Sequence, residues 1–164
     1  MTLIRAETES DIPAIHAVNI AAFGGEAEAN LVDDLRADGD LVLSLVAEID
    51  GRVIGHVAFS RLVIDAPDGN ATAVSLAPLA VHPDFQRRGI GAELVAAAHR
   101  VLQDRGETLS IVVGHPGYYP RFGYSRARAL DFESAYQGDA FMACAFAEAP
   151  RAGSVSYPPA FSGL

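Results

Sequence analysis

The sequence predicts a mixed α/β fold with a mostly antiparallel central sheet flanked by helices, and three observations predict it. The chain has 164 residues, of which 50% are hydrophobic and 20% charged. That is the length of one ordinary domain, residues 1–164, with enough apolar surface to bury a core without a staple. In the first half, three consecutive strand-like runs joined by short turns form an antiparallel meander. In the second half the pattern changes to a long amphipathic helix followed by a short, fully apolar run. That succession is expected of a crossover helix feeding a buried strand. The element order is strand, two helices, three-strand meander, long helix, strand, short helix, strand, with one right-handed crossover.

Thr2 to Glu7 alternates weakly and reads as the first strand. Ser10 can cap a helix, and Pro13 stands in its first turn, where a missing N–H costs little. Ile12, Ile15, Val18 and Ala22 then recur at helical spacing until Gly24-Gly25 breaks the run. A second helix spans Glu26 to Ala37, with Leu31, Val32 and Leu35 on one face and Gly39 ending it. Leu41 to Ile49 is a strand, Asp50-Gly51 is a hairpin turn, and Arg52 to Val63 is the return strand. A polar loop over Asp65 to Asn70 leads to a strand from Ala71 to Val81. The long helix spans Arg88 to Asp104, and Gly106 ends it. Leu109 to Val113 is the apolar strand, Tyr118 to Phe122 one or two helical turns, and Asp139 to Phe146 the last strand. The tail, residues 149–164, is rich in Pro, Gly and Ser. Its Val155, Tyr157 and Phe161 suit it to pack back on the body.

Charge narrows the partners. Twelve basic residues against 21 acidic ones give a net charge of −9. Such a surface repels nucleic acid and anionic lipid, and no concentrated basic face offsets it. The basic residues are all arginines, so Schiff-base and Walker-type lysine chemistry is excluded. A lone cysteine, Cys144, rules out an internal disulfide and leaves a Cys-based zinc site short of ligands. No metal is expected. No apolar run reaches the ~18 residues that cross a bilayer, and the N-terminus lacks the pattern of a secretion signal. The expected location is the cytoplasm.

The informative stretch runs from Leu76 to Leu94. A strand runs out, a loop turns, and Gly89-Ile90-Gly91-Ala92 opens the longest helix. Free N–H groups at a helix start bind anions, and glycines there let a phosphate approach the main chain. Arg87 and Arg88 add positive charge at the same spot. The competing explanation is that the glycines only ease a loop into a helix. A dinucleotide fingerprint would need a third glycine where Glu93-Leu94 stand. Pro78 cannot donate to a ladder, so it implies an edge or a bulge. A bulge would free the main chain of Leu79, Ala80 and Val81 for strand addition by an extended, amide-bearing ligand. Amides followed by a pyrophosphate describe coenzyme A. The alternative is a strand that ends at Pro78.

These residues resemble a known family. Gln86-Arg87-Arg88-Gly89-Ile90-Gly91-Ala92 is similar to the coenzyme A pyrophosphate loop, Q/R-x-x-G-x-G/A, of the GNAT N-acetyltransferase superfamily. The element order also resembles that fold, in which a bulged strand splays at the acetyl-CoA site. Within the superfamily the chain is similar to the YhbS-like branch. The resemblance is carried by Glu26-Ala27-Glu28 leading to Leu31 through Arg36, by Leu76 through Pro83, by Gly114 through Tyr124, and by Tyr157 through Phe161. It implies acetyl-CoA as co-substrate, with main-chain groups of Leu79 and Val81 on the pantetheine arm, and direct attack by an amine. Many members carry an Asn on the strand before the Tyr-Tyr segment. None stands here, which removes the basis for an Asn contact.

Acetyl transfer to an amine needs a fixed donor for the developing oxyanion, a proton donor for the leaving thiolate and a neutral attacking nitrogen. Tyr119 matches the family's usual tyrosine acid, although a core aromatic is the plainer alternative; Tyr118 is the second choice. A base is sought in Glu26, before the second helix, and in His115, after the apolar strand. Glu26 equally suits a first-turn acid stabilising its helix, and His115 a loop histidine bonded to backbone. His56 and His82 read as structural, Cys144 as a small buried hydrophobe, and Ser75 receives no role. The expected function is acetyl-CoA-dependent N-acetyl transfer to a primary amine in a ternary complex. The competing reading is a non-catalytic acyl-CoA-binding or regulatory module on the same fold. The expected partner is a small-molecule or protein amine, the acidic surface favouring cationic ones such as a polyamine. A homodimer is compatible with the chain.

Overall fold

A computed structural model describes all residues from Met1 to Leu164. In chain order its elements are β1 (Thr2–Ala6), α1 (Ile12–Phe23), α2 (Ala27–Ala37), β2 (Leu41–Ile49), β3 (Arg52–Ala66), β4 (Gly69–Val81), α3 (Ile90–Asp104), β5 (Leu109–Val113), α4 (Arg126–Ala129), β6 (Asp131–Glu133), β7 (Phe141–Ala145) and β8 (Ala152–Ser156). Strands β1, β2, β3, β4, β5 and β7 lie side by side in that order. All neighbours along this path are antiparallel except β4 and β5. The parallel pair requires a crossover, and α3 supplies it.

The sheet is organised around one long hairpin. Asp50 and Gly51 both adopt positive φ, 51° and 79°, which turns β2 into β3 with the twist the strands need. β3 and β4 then run together from Ala66 opposite Gly69 to Gly55 opposite Val81. Both strands are longer than the sequence predicts: β3 reaches Ala66 and β4 starts at Gly69, so the polar loop shrinks to Pro67-Asp68. Ladder pairing, favourable along the whole length, overrides the low strand propensity of Asp65 and Asn70. The tail packs on the body as strand β8, which pairs with β3 at Val63–Ser156 through Asp65–Ser154 and in parallel with β6. Sequence patterning gives no sign of β6, α4 or β8 as elements, because three to five residues show no usable period.

Helix entry also differs from expectation. The first turn is anchored by Asp11 rather than by Ser10. The Asp11 carboxylate accepts the Thr8 N–H at 2.7 Å and pairs with Arg5 at 2.7 Å. That arginine holds the Asp11 carboxyl well below the usual carboxylate range. The long helix starts at Ile90, not Arg88, because Gly89 takes the left-handed conformation and caps it.

Two apolar layers enclose the sheet. On one face α3 lays Ile90, Leu94, Val95, Ala98 and Leu102 on Leu45, Ile54, Val57, Phe59, Val74 and Leu76. Gly55 makes this approach possible: a Cβ there would meet Leu94 Cδ1 at 3.1 Å, Ala47 Cβ at 3.2 Å and Ile90 Cγ2 at 3.3 Å. On the other face α1, α2 and the end of the chain cover the sheet through Ile15, Val32, Leu31, Leu35 and Phe161.

The two histidines inside this core are paired and neutral. His56, fully buried on β3, meets Ser44 Oγ through Nε2 at 2.8 Å and Asn19 Nδ2 through Nδ1 at 3.2 Å. His99 on α3 meets the Tyr124 hydroxyl at 2.9 Å, which also bonds Ser110 at 2.7 Å. Burial lowers both histidines to about 4. An unfolded histidine titrates near ~6.5, so the unfolded chain binds more protons between those values. Stability is therefore complete above pH ~6.5 and falls as pH drops toward 4. Each histidine is expected to cost on the order of 2 kcal/mol between pH 7 and pH 5. Urea unfolding at pH 7, 6 and 5 checks this, and a midpoint that does not move would contradict it.

Candidate active site

The site begins where the ladder fails. β3 advances from Val57 to Phe59 while β4 goes from Leu79 to Leu76, so Ala77 and Pro78 together oppose Ala58. This is the bulge that Pro78 implies, and the Ala77–Pro78 peptide is cis. β5 accompanies β4 only from Val74–Ser110 to Leu76–Val112. Beyond Leu76, β4 has a strand on one side only. The His82 N–H donates to Ile54 C=O at 2.8 Å, which sets the alternation of the remaining rungs. Ala80, opposite His56, turns its main chain to β3, while Leu79 and Val81 turn theirs outward. Of the three freed residues the sequence suggests, the structure thus presents two. Ala80 is spent on the ladder, and its methyl is buried.

The loop after β4 is tied back to it. Gln86 Nε2 donates to the Val81 carbonyl at 3.0 Å. Arg87, at φ 64°, and Gly89, at φ 80°, turn the chain sharply into α3. The first main-chain bond of α3 runs from the Glu93 N–H to Gly89 C=O at 3.0 Å. The N–H groups of Ile90, Gly91 and Ala92 are left without a helical acceptor, as at any helix start. The two glycines serve different ends. Gly89 supplies the positive φ, and open space surrounds it. A Cβ on Gly91 would instead stand 2.9 Å from the Tyr118 hydroxyl and 3.7 Å from Leu79 Cδ2.

These parts wall a groove of about 670 Å³. Leu79 and Val81 line one side, Gln86 through Ala92 without Arg88 the end, and His115, Tyr118, Tyr119 and Arg121 the other. Arg88 turns back, bonding the Asp84 carbonyl at 3.3 Å and lying 5.1 Å over the Phe85 ring. Its place as second cation is taken by Arg121, which stacks 4.5 Å over Tyr118 and donates to its carbonyl at 2.9 Å. Sequence spacing could not find Arg121, because it reaches the groove only through the fold. Its sole signal was its place inside the Tyr-Tyr-x-Arg-Phe-Gly segment.

A second cavity of about 360 Å³ shares Leu79, His115 and Tyr119 with the groove. Tyr119 is wedged at the junction. Its ring edge lies where a Cβ on Gly114 would be, at 2.3 Å, so only glycine fits there. Burial pushes the Tyr119 phenol up to about 12, and burial also raises Tyr118. His115 stands exposed at the same junction. The acid in this cavity is Glu28, not Glu26. Glu26 is the exposed residue before α2, and its carbonyl accepts the Asn30 N–H at 2.8 Å. Two residues along, the helix turns Glu28 inward; a loop reading of the sequence could not give that phase. His56 and His82 line neither space, and His82 accepts the Asp84 N–H at 3.1 Å. No helix is long and apolar enough to cross a membrane.

The family described as an acetyltransferase (GNAT) domain matches residues 3–127. The Escherichia coli K12 protein named uncharacterized N-acetyltransferase YhbS is 39% identical over 137 residues, 83% of this chain and 81% of that one. Uncharacterized N-acetyltransferase YjhQ of the same organism is 36% identical over 118 residues, 71% of this chain and 65% of that one. Among solved structures, Escherichia coli YhbS in complex with CoA has a TM-score of 0.89 at 36% identity, covering 98% of this chain and 92% of that one. A GNAT acetyltransferase from Brucella melitensis in complex with acetyl-CoA has a TM-score of 0.83 at 36% identity, covering 98% of both chains. The chain therefore has counterparts in sequence and shape over most of its length, and it belongs to the GNAT acetyltransferase family, as an enzyme of its YhbS-like branch.

Proposed function

We propose that the protein transfers an acetyl group from acetyl-CoA to a primary amine by direct attack in a ternary complex. The observation that carries this reading is the unpaired edge of β4 running straight into the free N–H groups of α3. An extended pantetheine chain can bond the outward main chain of Leu79 and Val81. Its pyrophosphate then meets the N–H groups of Ile90, Gly91 and Ala92, with Arg87 and Arg121 alongside. The relatives solved with CoA and acetyl-CoA support the same ligand.

The chemistry belongs at the junction of the groove and the second cavity. The amine arrives as an ammonium and gives a proton to His115, leaving a lone pair on nitrogen. That nitrogen bonds the thioester carbonyl carbon, and the oxygen gathers charge near the outward N–H of β4. The C–S bond then breaks and the thiolate takes the Tyr119 hydroxyl proton. The nitrogen sheds its second proton to water as the neutral amide forms, and water returns a proton to the phenolate. Because burial keeps Tyr119 protonated to about pH 12, the acid is available wherever the amine is reactive.

Coenzyme binding tests the groove. Gly91→Glu is expected to abolish coenzyme A binding in calorimetry, since its side chain enters against Tyr118 and brings negative charge. Unfolding near the wild-type temperature should accompany that loss; undiminished affinity would place the ligand elsewhere.

The arginines separate by geometry. Arg87→Ala and Arg121→Ala are each expected to weaken coenzyme A a few-fold to tens-fold, as one charge-assisted contact of ~1.5–3 kcal/mol predicts before screening. Arg88→Ala should change affinity by less than about twofold. Equal losses at all three would show that only diffuse charge matters.

Tyr119→Phe removes the proton donor and keeps the ring. A fall in kcat of ~10²–10⁴-fold with coenzyme affinity retained is expected. Wild-type kcat should show no decline from pH 9 to pH 10.5, where an ordinary phenol would ionise. Full turnover by the Phe variant would return Tyr119 to a packing role. Tight acetyl-CoA binding without turnover of any amine would favour a binding module.

A further inference from the structure

The amine cavity does not end at Glu28. Next to it lies a third chamber of about 210 Å³, which shares Leu76, Ala77, Val113 and Leu164 with the second cavity. The three spaces therefore follow one another: coenzyme groove, junction with Tyr119 and His115, then the distal chamber. Its walls come from the sheet on one side, through Ser75 and Val113, and from the returning chain on the other, through Tyr136, Tyr157 and Phe161. Tyr157 sits edge-on to both Tyr136, at 4.8 Å, and Phe161, at 5.1 Å, so the aromatic wall is pre-packed.

The charge in these two spaces is uneven. Glu28 is the one carboxylate lining the second cavity, and no charged side chain lines the distal chamber. An ammonium beside Glu28 is compensated. Seven of the eight residues lining the chamber are hydrophobic, so a second ammonium carried further in would exchange water for mostly apolar surface. An apolar or aromatic group in the same place would gain the free energy of leaving water. Net charge alone, at −9, favours a polycation, but the local lining argues against one.

We infer that the acceptor is a monoamine with an apolar, preferably aromatic, body: its nitrogen is held between Glu28 and Tyr119, and its body fills the chamber between Val113 and the Tyr136–Tyr157–Phe161 wall. This rests on the acetyl-transfer reading above and names its substrate class. The chamber shares no residue with the coenzyme groove, so an acyl chain would have to cross the second cavity, the amine's place, to reach it.

The test compares ethylamine, phenethylamine and spermidine with acetyl-CoA by thiol release, together with calorimetry of phenethylamine against the coenzyme A-saturated protein. Phenethylamine is expected to exceed ethylamine by about 10–100-fold in kcat/KM. Val113→Arg, a half-exposed position with little folding risk, should bring that ratio near one by placing a cation in the chamber. If phenethylamine binds but no amine is acetylated, the chamber assignment stands and the acetyl-transfer reading falls. If ethylamine or spermidine is acetylated as well as phenethylamine, the inference is overturned while acetyl transfer stands. Preference for octanoyl-CoA over acetyl-CoA with ethylamine, lost in Val113→Arg, would give the chamber to an acyl chain and overturn it too. Neither binding nor turnover of phenethylamine would remove it outright.

Discussion

Main-chain bonding between β4 and β5 ends after Leu76–Val112, and the other features of the site take their positions from that end. A strand edge inside a protein is normally covered, because unpaired N–H and C=O groups in a dry environment are costly. Here Pro78 removes a donor, and the extra residue at the bulge turns β4 aside. The parallel partner therefore cannot follow. The opening is kept open by what grows from its two lips. β4 continues into the tethered loop and α3, while β5 continues into Gly114 and the Tyr118–Tyr119 pair. Groove, helix start and tyrosine pair are thus one geometric event seen from three positions.

Such an opening weakens a sheet, so the surroundings must be stiff. The α3 face is close-packed down to Gly55, where the space is less than one methyl group deep. Across the sheet, His56 is locked between Asn19 and Ser44, and the Tyr124 hydroxyl joins His99 to Ser110. These buried polar links are directional, so they fix strand positions more sharply than apolar contact alone. Burial itself keeps the two histidines neutral beneath the site. Asp11, by contrast, stays ionised at the edge, held by Arg5, which Glu48 also grips at 2.9 Å.

The sequence was legible where a residue type permits few conformations. Pro78 announced the bulge, Asp50-Gly51 the hairpin, and Gly89 with Gly91 the helix start. The periodicity of α3 and the apolar Leu109–Val113 run placed the crossover. Legibility failed where position depends on the whole fold. Glu26 and Glu28 differ by two places on one helix, and only the packing of α2 through Leu31 and Leu35 decides which faces the cavity. Which arginine lines the groove is illegible for a similar reason, since Phe85 draws Arg88 away and Tyr118 holds Arg121 beside it. The outward turn of Leu79 and Val81 but not Ala80 follows from a single rung, His82 to Ile54, that no local pattern encodes.

The bulge also shifts the strand's side-chain parity. Before it, the even-numbered Val74 and Leu76 face α3; after it, the odd-numbered Leu79 and Val81 do. β4 is thus two half-strands written in different reading phases, joined by Ala77-Pro78. Removing one of those two residues would give an unbroken alternation in which Val74, Leu76, Leu79 and Val81 still share one face. A single-residue deletion therefore keeps the core pattern and erases only the turned-aside edge. The apolar pattern of the strand would fill the core equally well without the irregularity, so what the extra residue contributes is the opening itself and not the packing beneath it.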